Sequence, residues 1–475
     1  MEKWTCFPPT MEDKERVKNY ALFRKLMIGR HGEVYENIKH YLPDGQRRLA
    51  YLTVNFAAIV SKLSADLLFG EMPSITVQKG QEALDEIITD NSLQTICHTM
   101  ALSSSYRGDC VFKVRYGKFR DWDDTFYPII EAVPSNCFFP VVDPNNVMGM
   151  SEAAIAWTRK IGSDLYLRRE VHQPGRIINE LYRMDSETNI GAQLPLSHLD
   201  EYAGLKEVEE TGYPGLLVEY VPNWRLDDDF WGISDYYDLI PLQEELNNRL
   251  TKINKILDKH SEPKLILPPG IMQYDERLQR WYVEKEDLEA LEVDPEQVGD
   301  LPKYLTWDAQ LAACFSEVDK LLDMLCMTTE TAPVAIGLPN KDGGGAESGK
   351  ALRFRLMRTL GKISRKERFF DQALKNVLYA AQALNALYGS GPAPEPVSIE
   401  WKDGLPDDPQ ETAEVLNSRV GMKTMSLRRA LMMEGLRGEA LESEIEEIEA
   451  GKEAESVVPE FNLNEEPDDD EPDES

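Results

Sequence analysis

The sequence is poor in the groups that carry most polar chemistry. It holds six histidines and six cysteines in 475 residues, and the cysteines, at 6, 97, 110, 137, 314 and 326, form no C-x-x-C pair. Apart from His98 beside Cys97, no histidine lies at ligand spacing from a thiol, so the cysteines read as buried or idle rather than as a metal site or disulfide framework. The histidines, at 31, 40, 98, 172, 198 and 260, pair with no serine or cysteine at a spacing that would support a nucleophile. The expectation is therefore no enzyme, no metal and no cofactor. A run of about 18 apolar residues is also missing. Met1-Glu2-Lys3-Trp4 does not open a signal peptide, so the reading is neither membrane-bound nor secreted, with the chain at work in a cytoplasm.

Positive charge is scarce too. Lysine and arginine number 52 against 84 acids, a net charge of −32. Residues 439–475 hold 17 of those acids and the single Lys452, so half of the net charge sits at the C-terminal end. The run Glu465 to Glu474 cannot bury enough apolar surface to fold and reads as a solvated, disordered tail. A conventional nucleic-acid binder releases counterions with a basic surface, and this composition excludes a tight grip over most of the molecule. It does not exclude a passage along which DNA slides, because attraction to many phosphates would hold the polymer in place.

What the sequence does have is a pair of strongly helical stretches around a glycine-rich loop, Gly337-Leu338-Pro339-Asn340-Lys341-Asp342-Gly343-Gly344-Gly345. The first stretch, 308–332, is apolar at Leu311, Phe315, Val318, Leu322 and Leu325, with Asp308 as a cap and Pro333 as a stop. The second runs from Glu347 to about Tyr388 without a proline and is apolar at Leu356, Leu360, Ile363, Phe370, Leu374, Val377 and Leu384. At 1.5 Å per residue it would be roughly 60 Å long, a length that suits packing against copies of itself or spanning a large assembly.

The loop also mimics a phosphate-binding motif. Gly344, four residues, then Gly349-Lys350 matches most of it, but Ala351 stands where a magnesium-binding hydroxyl belongs. Glu347 would put a negative charge inside the cradle, and a helix ended by Pro333 precedes it where a buried strand is needed. Nucleotide hydrolysis is not expected.

Elsewhere the pattern is α+β. An amphipathic helix with Leu52, Phe56, Ile59, Leu63 and Leu67 stops at Gly70. One helix is expected over Glu82 to Tyr106, and strands over 110–116, 126–133, 153–158, 165–172, 176–182 and 216–221. Gly232-Ile233-Ser234-Asp235 introduces a helix with Leu239, Leu242, Leu246, Ile253 and Leu257 on one face and Arg249, Lys252, Lys255 and Lys259 along another. Pro241 belongs in its first turn or kinks it, and Glu262-Pro263 ends it. A compact module of about 45 residues with short apolar runs then separates this helix from the one at 308–332. After the long helix come a Gly/Pro-rich linker, a short strand at Ile399-Glu400-Trp401, a helix opened by Asp408-Pro409-Gln410-Glu411, and another after Ser426.

Taken in order, these parts resemble the portal proteins of tailed bacteriophages, the head-to-tail connector rings of long-tailed siphophages in particular, from about residue 50 to about 435. The likeness rests on Asn55-Phe56-Ala57-Ala58-Ile59-Val60 leading to Leu68-Phe69-Gly70-Glu71-Met72-Pro73; on Tyr106-Arg107-Gly108-Asp109; and on Gly232-Ile233-Ser234-Asp235 with Asn247 and Asn248. Ser348-Gly349-Lys350-Ala351-Leu352 and Leu405-Pro406-Asp407-Asp408 with Met425-Ser426 complete it. The resemblance implies an α+β, mainly helical fold: an α+β wing (1–232), stem helices (233–262 and 308–332) and a small α/β clip between them (263–307). It continues with a tunnel loop (333–346), a long wing helix (347–388), a linker (389–397), a helical crown (398–450) and an acidic tail (451–475). It implies a ring, usually a dodecamer, at one capsid vertex of the virion, assembled in the host bacterial cytoplasm, with a channel for double-stranded DNA during packaging and genome ejection. The partners it implies are further copies of the chain, the terminase large subunit, a head-tail adaptor, and the major capsid and scaffolding proteins. The motor's ATP hydrolysis would belong to the terminase.

Residue by residue, the loop Pro339, Asn340, Lys341, Asp342, Gly343, Gly344 and Gly345 could touch DNA, since the glycines move at low cost and Asn340 and Lys341 can meet a phosphate transiently; an ordinary surface connection is the other reading. Arg249, Lys252, Lys255 and Lys259 either line the channel or form a solvated helix face. Arg353, Arg355, Arg358, Lys362 and Arg365 belong to the most basic stretch, expected to pair with a neighbouring subunit's carboxylates rather than with DNA. Asp227-Asp228-Asp229 could hold a hard cation, yet a solvated turn explains it as well. An acidic scaffolding or capsid-associated protein that never encloses DNA is the competing functional class; it would share the long helices and tail without needing the module or the loop.

Overall fold

The structure, a computed structural model, describes residues 3–35, 51–119, 125–261, 264–266, 273–277, 279–282, 303–305, 311–338, 349–402, 409–433, 436 and 439–456. It is about 49% helical with 23% strand, the mainly helical α+β class expected. The chain divides into two compact units, Met1–Gly404 and Leu405–Ser475.

The first unit opens with helix α1 (Met11–Met27), capped by Thr10, whose hydroxyl accepts from Asp13 N at 3.0 Å. Helix α2 (Phe56–Phe69) starts the same way, with Asn55 accepting from Ala58 N. Strand β1 (Ser74–Thr76) follows. The single helix expected over 82–106 is two, α3 (Gln81–Asp90) and α4 (Leu93–Arg107). The break has a cause in Asn91: its buried amide donates to Ile87 O and Pro128 O and accepts from Ile130 N, so it closes the edge of a sheet instead of continuing the helix. Ser92, at φ 49°, turns the chain.

That sheet is three-stranded, with β2 (Asp109–Gly117) between β3 (Tyr127–Val133) and β10 (Val218–Pro222), all antiparallel. Between β3 and β10 the chain builds a second antiparallel sheet from β4 (Phe138–Asp143), β5 (Asn146–Ile161), β6 (Asp164–Gln173), β7 (Arg176–Met184) and β8 (Ile190–Leu194). Its sixth strand, β9 (Val208–Glu210), pairs with the first half of β7 while β8 pairs with the second half. The period of two sorts β5 between two cores. Ala154 and Ala156 join Phe139, Leu167 and Tyr182 beneath Trp4 and Phe7, whereas Ala153 and Ile155 join Phe138, Tyr220 and Phe230. All six strands read from the sequence are present; β1, β4, β8 and β9 were not anticipated.

Helix α5 (Ile240–Ser261) and helix α6 (Leu311–Thr328) share a core with α1 and α2, in which Leu246 packs with Leu321, Leu325, Phe23, Leu26, Phe56 and Val60. Pro241 lies in the first turn of α5, as expected. The segment between them contains β11 (Lys264–Ile266) paired with β14 (Lys303–Leu305), and a hairpin of β12 (Gln273–Asp275) and β13 (Arg280–Tyr282).

Helix α7 (Gly349–Tyr388) spans 40 residues, close to 60 Å. The expectation that its apolar face would need copies of itself is corrected for most of its length. Phe370, Leu374, Leu378 and Ala381 are buried in the protomer's own core, Phe370 edge-on to Phe69 with ring centroids 5.2 Å apart. Its first turns are different: Phe354 and Met357 are 78% and 65% exposed. Strand β15 (Ser398–Glu400) pairs with β1, so residues 398–404 belong with the first unit and not with the helices after them.

The second unit holds α8 (Pro409–Gly421), α9 (Leu427–Met433) and α10 (Glu439–Ser456). Helix α10 runs six residues into the stretch read as disordered tail. The reason is the spacing of Leu441, Ile445 and Ile448, which gives the glutamates an apolar side, with Leu441 buried.

Candidate functional site

Two of the short motifs singled out in the sequence lie against each other. Gly108, at φ 103°, and Gly232 pass so closely that a Cβ on Gly108 would meet Gly232 O at 2.6 Å, and one on Gly232 would meet Gly108 O at 2.0 Å. Only glycine fits such a backbone approach. Hydrogen bonds fix the pair: Asn223 N donates to Gly108 O at 2.7 Å, Asp235 N to Ser105 O at 3.0 Å, and Ser234 Oγ to Tyr106 O at 2.8 Å. These bonds hold residues 232–234 outside any helix, and the chain turns through 235–239 before α5 begins at Ile240 and not at 233.

The same contacts deliver the Asp235 side chain into the interior. Its carboxylate accepts from Ser105 Oγ at 2.6 Å and from Asn223 Nδ2 at 3.0 Å. It also meets two lysines of α7, Lys366 Nζ at 2.6 Å and Lys362 Nζ at 3.2 Å, and all three side chains are at most 9% exposed. Burial pushes the carboxyl pKa up, but Lys362 and Lys366 outweigh it and hold the group well below the usual carboxylate range. Burial pulls Lys366 down to about 8, against the attraction of Asp235.

Toward the start of α7, from Thr359 on, the end of α6 is tied down. Glu330 takes φ 53° and Thr331 N donates back to Cys326 O at 2.9 Å, a left-handed stop three residues before Pro333, where the sequence reading ended the helix. Thr359 Oγ1 donates to Glu330 O and accepts from Ala332 N, Lys362 Nζ donates to Thr329 O, and Arg365 pairs with Glu330 at 2.7 Å. Thr359, Lys362 and Lys366 share one helical face, and through it α7 grips both the segment entering α5 and the segment leaving α6. A polar frame completes the junction on the side of α2. Buried His31 lies 2.8 Å from Asn247 and 3.3 Å from Asn55, while Gln243 donates to Val54 O and accepts from Ala57 N.

A family model described as "Phage portal protein, SPP1 Gp6-like" matches residues 11–457. The chain belongs to that family. No curated protein sequence matches it. Among solved structures, one chain of "Neck of native GTA particle computed with C12 symmetry" is similar over 80% of this chain and 89% of its own, at 12% identity and a TM-score of 0.38. As a portal protein the chain is a structural component of the phage head-tail connection, where portal proteins work as homo-oligomers at a capsid vertex.

Within this portal protein, the residues read as functional from the sequence fall in different places. Pro339, Asn340, Lys341, Asp342, Gly343, Gly344 and Gly345 lie outside the described residues. Arg249 is drawn sideways between helices, pairing with Glu245 at 3.1 Å and with Glu317 of α6 at 2.7 Å, so the carboxylates nearest to it are its own chain's. Lys252 and Lys255 are half-buried on α5 and engaged in interactions, and Lys259 lies near the end of the same helix. Of the basic stretch, Lys362 and Arg365 differ from the expected pairing with a neighbour, because Asp235, Thr329 and Glu330 of the same protomer satisfy them. Arg353, Arg355 and Arg358 are exposed. Asp227, Asp228 and Asp229 are exposed in the turn after β10, where Asp229 Oδ1 accepts from Trp231 N.

Asp235 and its lysines were present in the sequence only as members of separate segments. One local signal existed: Lys366 sits three residues after Ile363 and four before Phe370, interrupting an apolar stripe where a lysine must be buried and therefore paired. Among the described residues no group of three or more His, Cys, Asp and Glu side chains could hold a metal ion, and no helix is long and apolar enough to cross a membrane. The described cysteines are free thiols.

Proposed function

We propose that this portal protein closes into a ring of about twelve copies around a channel that passes double-stranded DNA during packaging and ejection, with a docking face for the terminase motor and head-tail adaptors. In this reading residues 1–232 and α7 form the wing, α5 and α6 the stem, and 263–307 the clip that meets the terminase large subunit. The loop at 333–346 faces the DNA, and the helices after residue 404 form the crown toward the capsid interior and its scaffolding and major capsid proteins. The observation that carries the reading is the family match over residues 11–457. The helix pair α5 and α6, with a small β module between its members, is what a stem and clip require. The net charge of −32 suits a channel that must let DNA slide.

The exposed Arg353, Arg355 and Arg358, beside exposed Phe354 and Met357, supply the surface for contact with the next subunit's carboxylates. Negative-stain images of the full-length protein test the reading. Closed rings with a central hole are expected, and a monodisperse monomer or solid particles at assembly concentrations would overturn it.

A further inference from the structure

A cavity of about 750 Å3 opens beside the Asp235 junction, walled by the segment before α5, the end of α6 and the middle of α7. Its lining carries five cations, among them Arg225, Lys362, Arg365 and Arg368, against three carboxylates, so two positive charges are in surplus. The surplus is out of character for a chain of net charge −32. Arg225 leans over Phe369, donates to Met148 O at 3.1 Å, and has a buried Nε without a hydrogen-bond partner among the described residues. At the rim Trp224 is 40% exposed, and Leu226 beside it is also exposed. An exposed tryptophan next to arginines is the composition of an interface anchor rather than of a solvated surface.

We propose that this cavity receives a carboxylate-bearing segment of a second copy of the chain, with Trp224 and Phe369 as its apolar contacts. The inference rests on the ring reading above. Two features choose this occupant over nucleic acid. The carboxylates of Asp235, Asp238 and Glu330 in the lining would repel a continuous row of phosphates but can stand beside a single acid held among the cations. The volume is that of a side-chain pocket and far too small for a duplex. Charge complementarity supplies the rest, since a protein this acidic offers carboxylates over most of any surface that an adjoining copy could present.

The test uses the full chain. Trp224→Ala, Arg368→Glu and the pair are compared with wild type by mass photometry across a concentration series, with thermal unfolding recorded alongside. The pair should raise the concentration at half-assembly by about tenfold or more while leaving the melting curve unchanged, because both side chains are exposed in the protomer. In parallel, Trp224→p-benzoylphenylalanine should cross-link on illumination to an acidic peptide of another copy, distinguished by mixing isotopically light and heavy protein. Unchanged assembly of the pair, or cross-links confined to the same chain or to nucleic acid, would overturn the docking pocket and leave the ring intact. Absence of rings from wild type itself would instead overturn the ring reading.

Discussion

The Asp235 carboxylate lies 2.6 Å from Lys366 Nζ, 131 positions away in the sequence, and Lys362 Nζ stands 3.2 Å from the same oxygen. One acid thus holds two buried lysines, and removing it leaves both without a counter-charge in a dry setting. Asp235→Asn should cost about 3–5 kcal/mol in urea unfolding, while Lys366→Met, which leaves Asp235 with Lys362, should cost clearly less. Combining the two should recover part of the loss. The deficit should also shrink as pH rises toward about 8: without Asp235, burial holds the folded-state pKa of Lys366 lower still, so the variant sheds the buried proton where wild type keeps it, and from about 8 to the ordinary 10.5 both gain stability in parallel. A loss under about 1 kcal/mol for Asp235→Asn would show that the cluster is not what ties α7 to the segment before α5.

The glycine pair gives a contrast with an internal control. Gly108→Ala adds a Cβ against a backbone carbonyl at 2.6 Å in a left-handed conformation, and neither backbone can retreat without breaking the bonds around Asn223 and Asp235. A destabilisation above about 2 kcal/mol is expected. Gly361, inside α7, has open space where its Cβ would lie, so Gly361→Ala should stabilise the protomer by about 0.5–1 kcal/mol through helix propensity. Equal effects at the two positions would remove the case for a tight backbone crossing.

How far the sequence reaches is visible at these same residues. Helices α2, α5, α6 and α7 and six strands follow from apolar spacing and caps, because those signals are local. The family resemblance was carried by motifs whose shared purpose is not local: Tyr106-Arg107-Gly108-Asp109 and Gly232-Ile233-Ser234-Asp235 are two sides of one crossing, and nothing in either segment names the other. Glu330 ended α6 earlier than Pro333 because the cost of its left-handed backbone is offset by Thr359 and Arg365, which lie on α7. Lys362 and Arg365 read as surface cations for the same reason, their partners being distant in sequence. Strands β8 and β9 escaped notice because they are short and show little apolar alternation, β9 with all three side chains exposed and β8 with only Ile190 and Leu194 packed against the cores.

Glu219 offers a pH-dependent readout. On β10, facing a cavity of about 450 Å3 against α7, it is pushed up by burial from its ordinary 4.5 to about 7, with Asn376 Nδ2 donating to it at 2.9 Å and acting in the opposite sense. Between these two values the folded protein holds a proton that the unfolded chain has lost, so stability from this group is greatest below pH 4.5 and falls as pH rises through about 7. Glu219→Gln abolishes that dependence. Relative to wild type the variant should gain on the order of 1 kcal/mol at pH 8 and little at pH 5, measured by urea unfolding at each. Parallel shifts at the two pH values would mean that the carboxyl is well solvated.

The last prediction concerns the proposed DNA-facing loop, whose run Gly343-Gly344-Gly345 lies between α6 and α7 in the sequence. The junction at Thr359, Lys362 and Lys366 anchors α7 to the segments around α5 and α6 without any contribution from those glycines. Replacing all three by alanine withdraws positive-φ conformations and restricts the loop, yet touches none of the anchoring bonds. Ring assembly and protomer stability should therefore persist. If the loop follows DNA as it passes, the nuclease-protected DNA recovered from capsids built with the variant should fall several-fold. Equal losses of assembly and packaging would make the loop a structural connection, and full packaging by the triple variant would remove it from the DNA path.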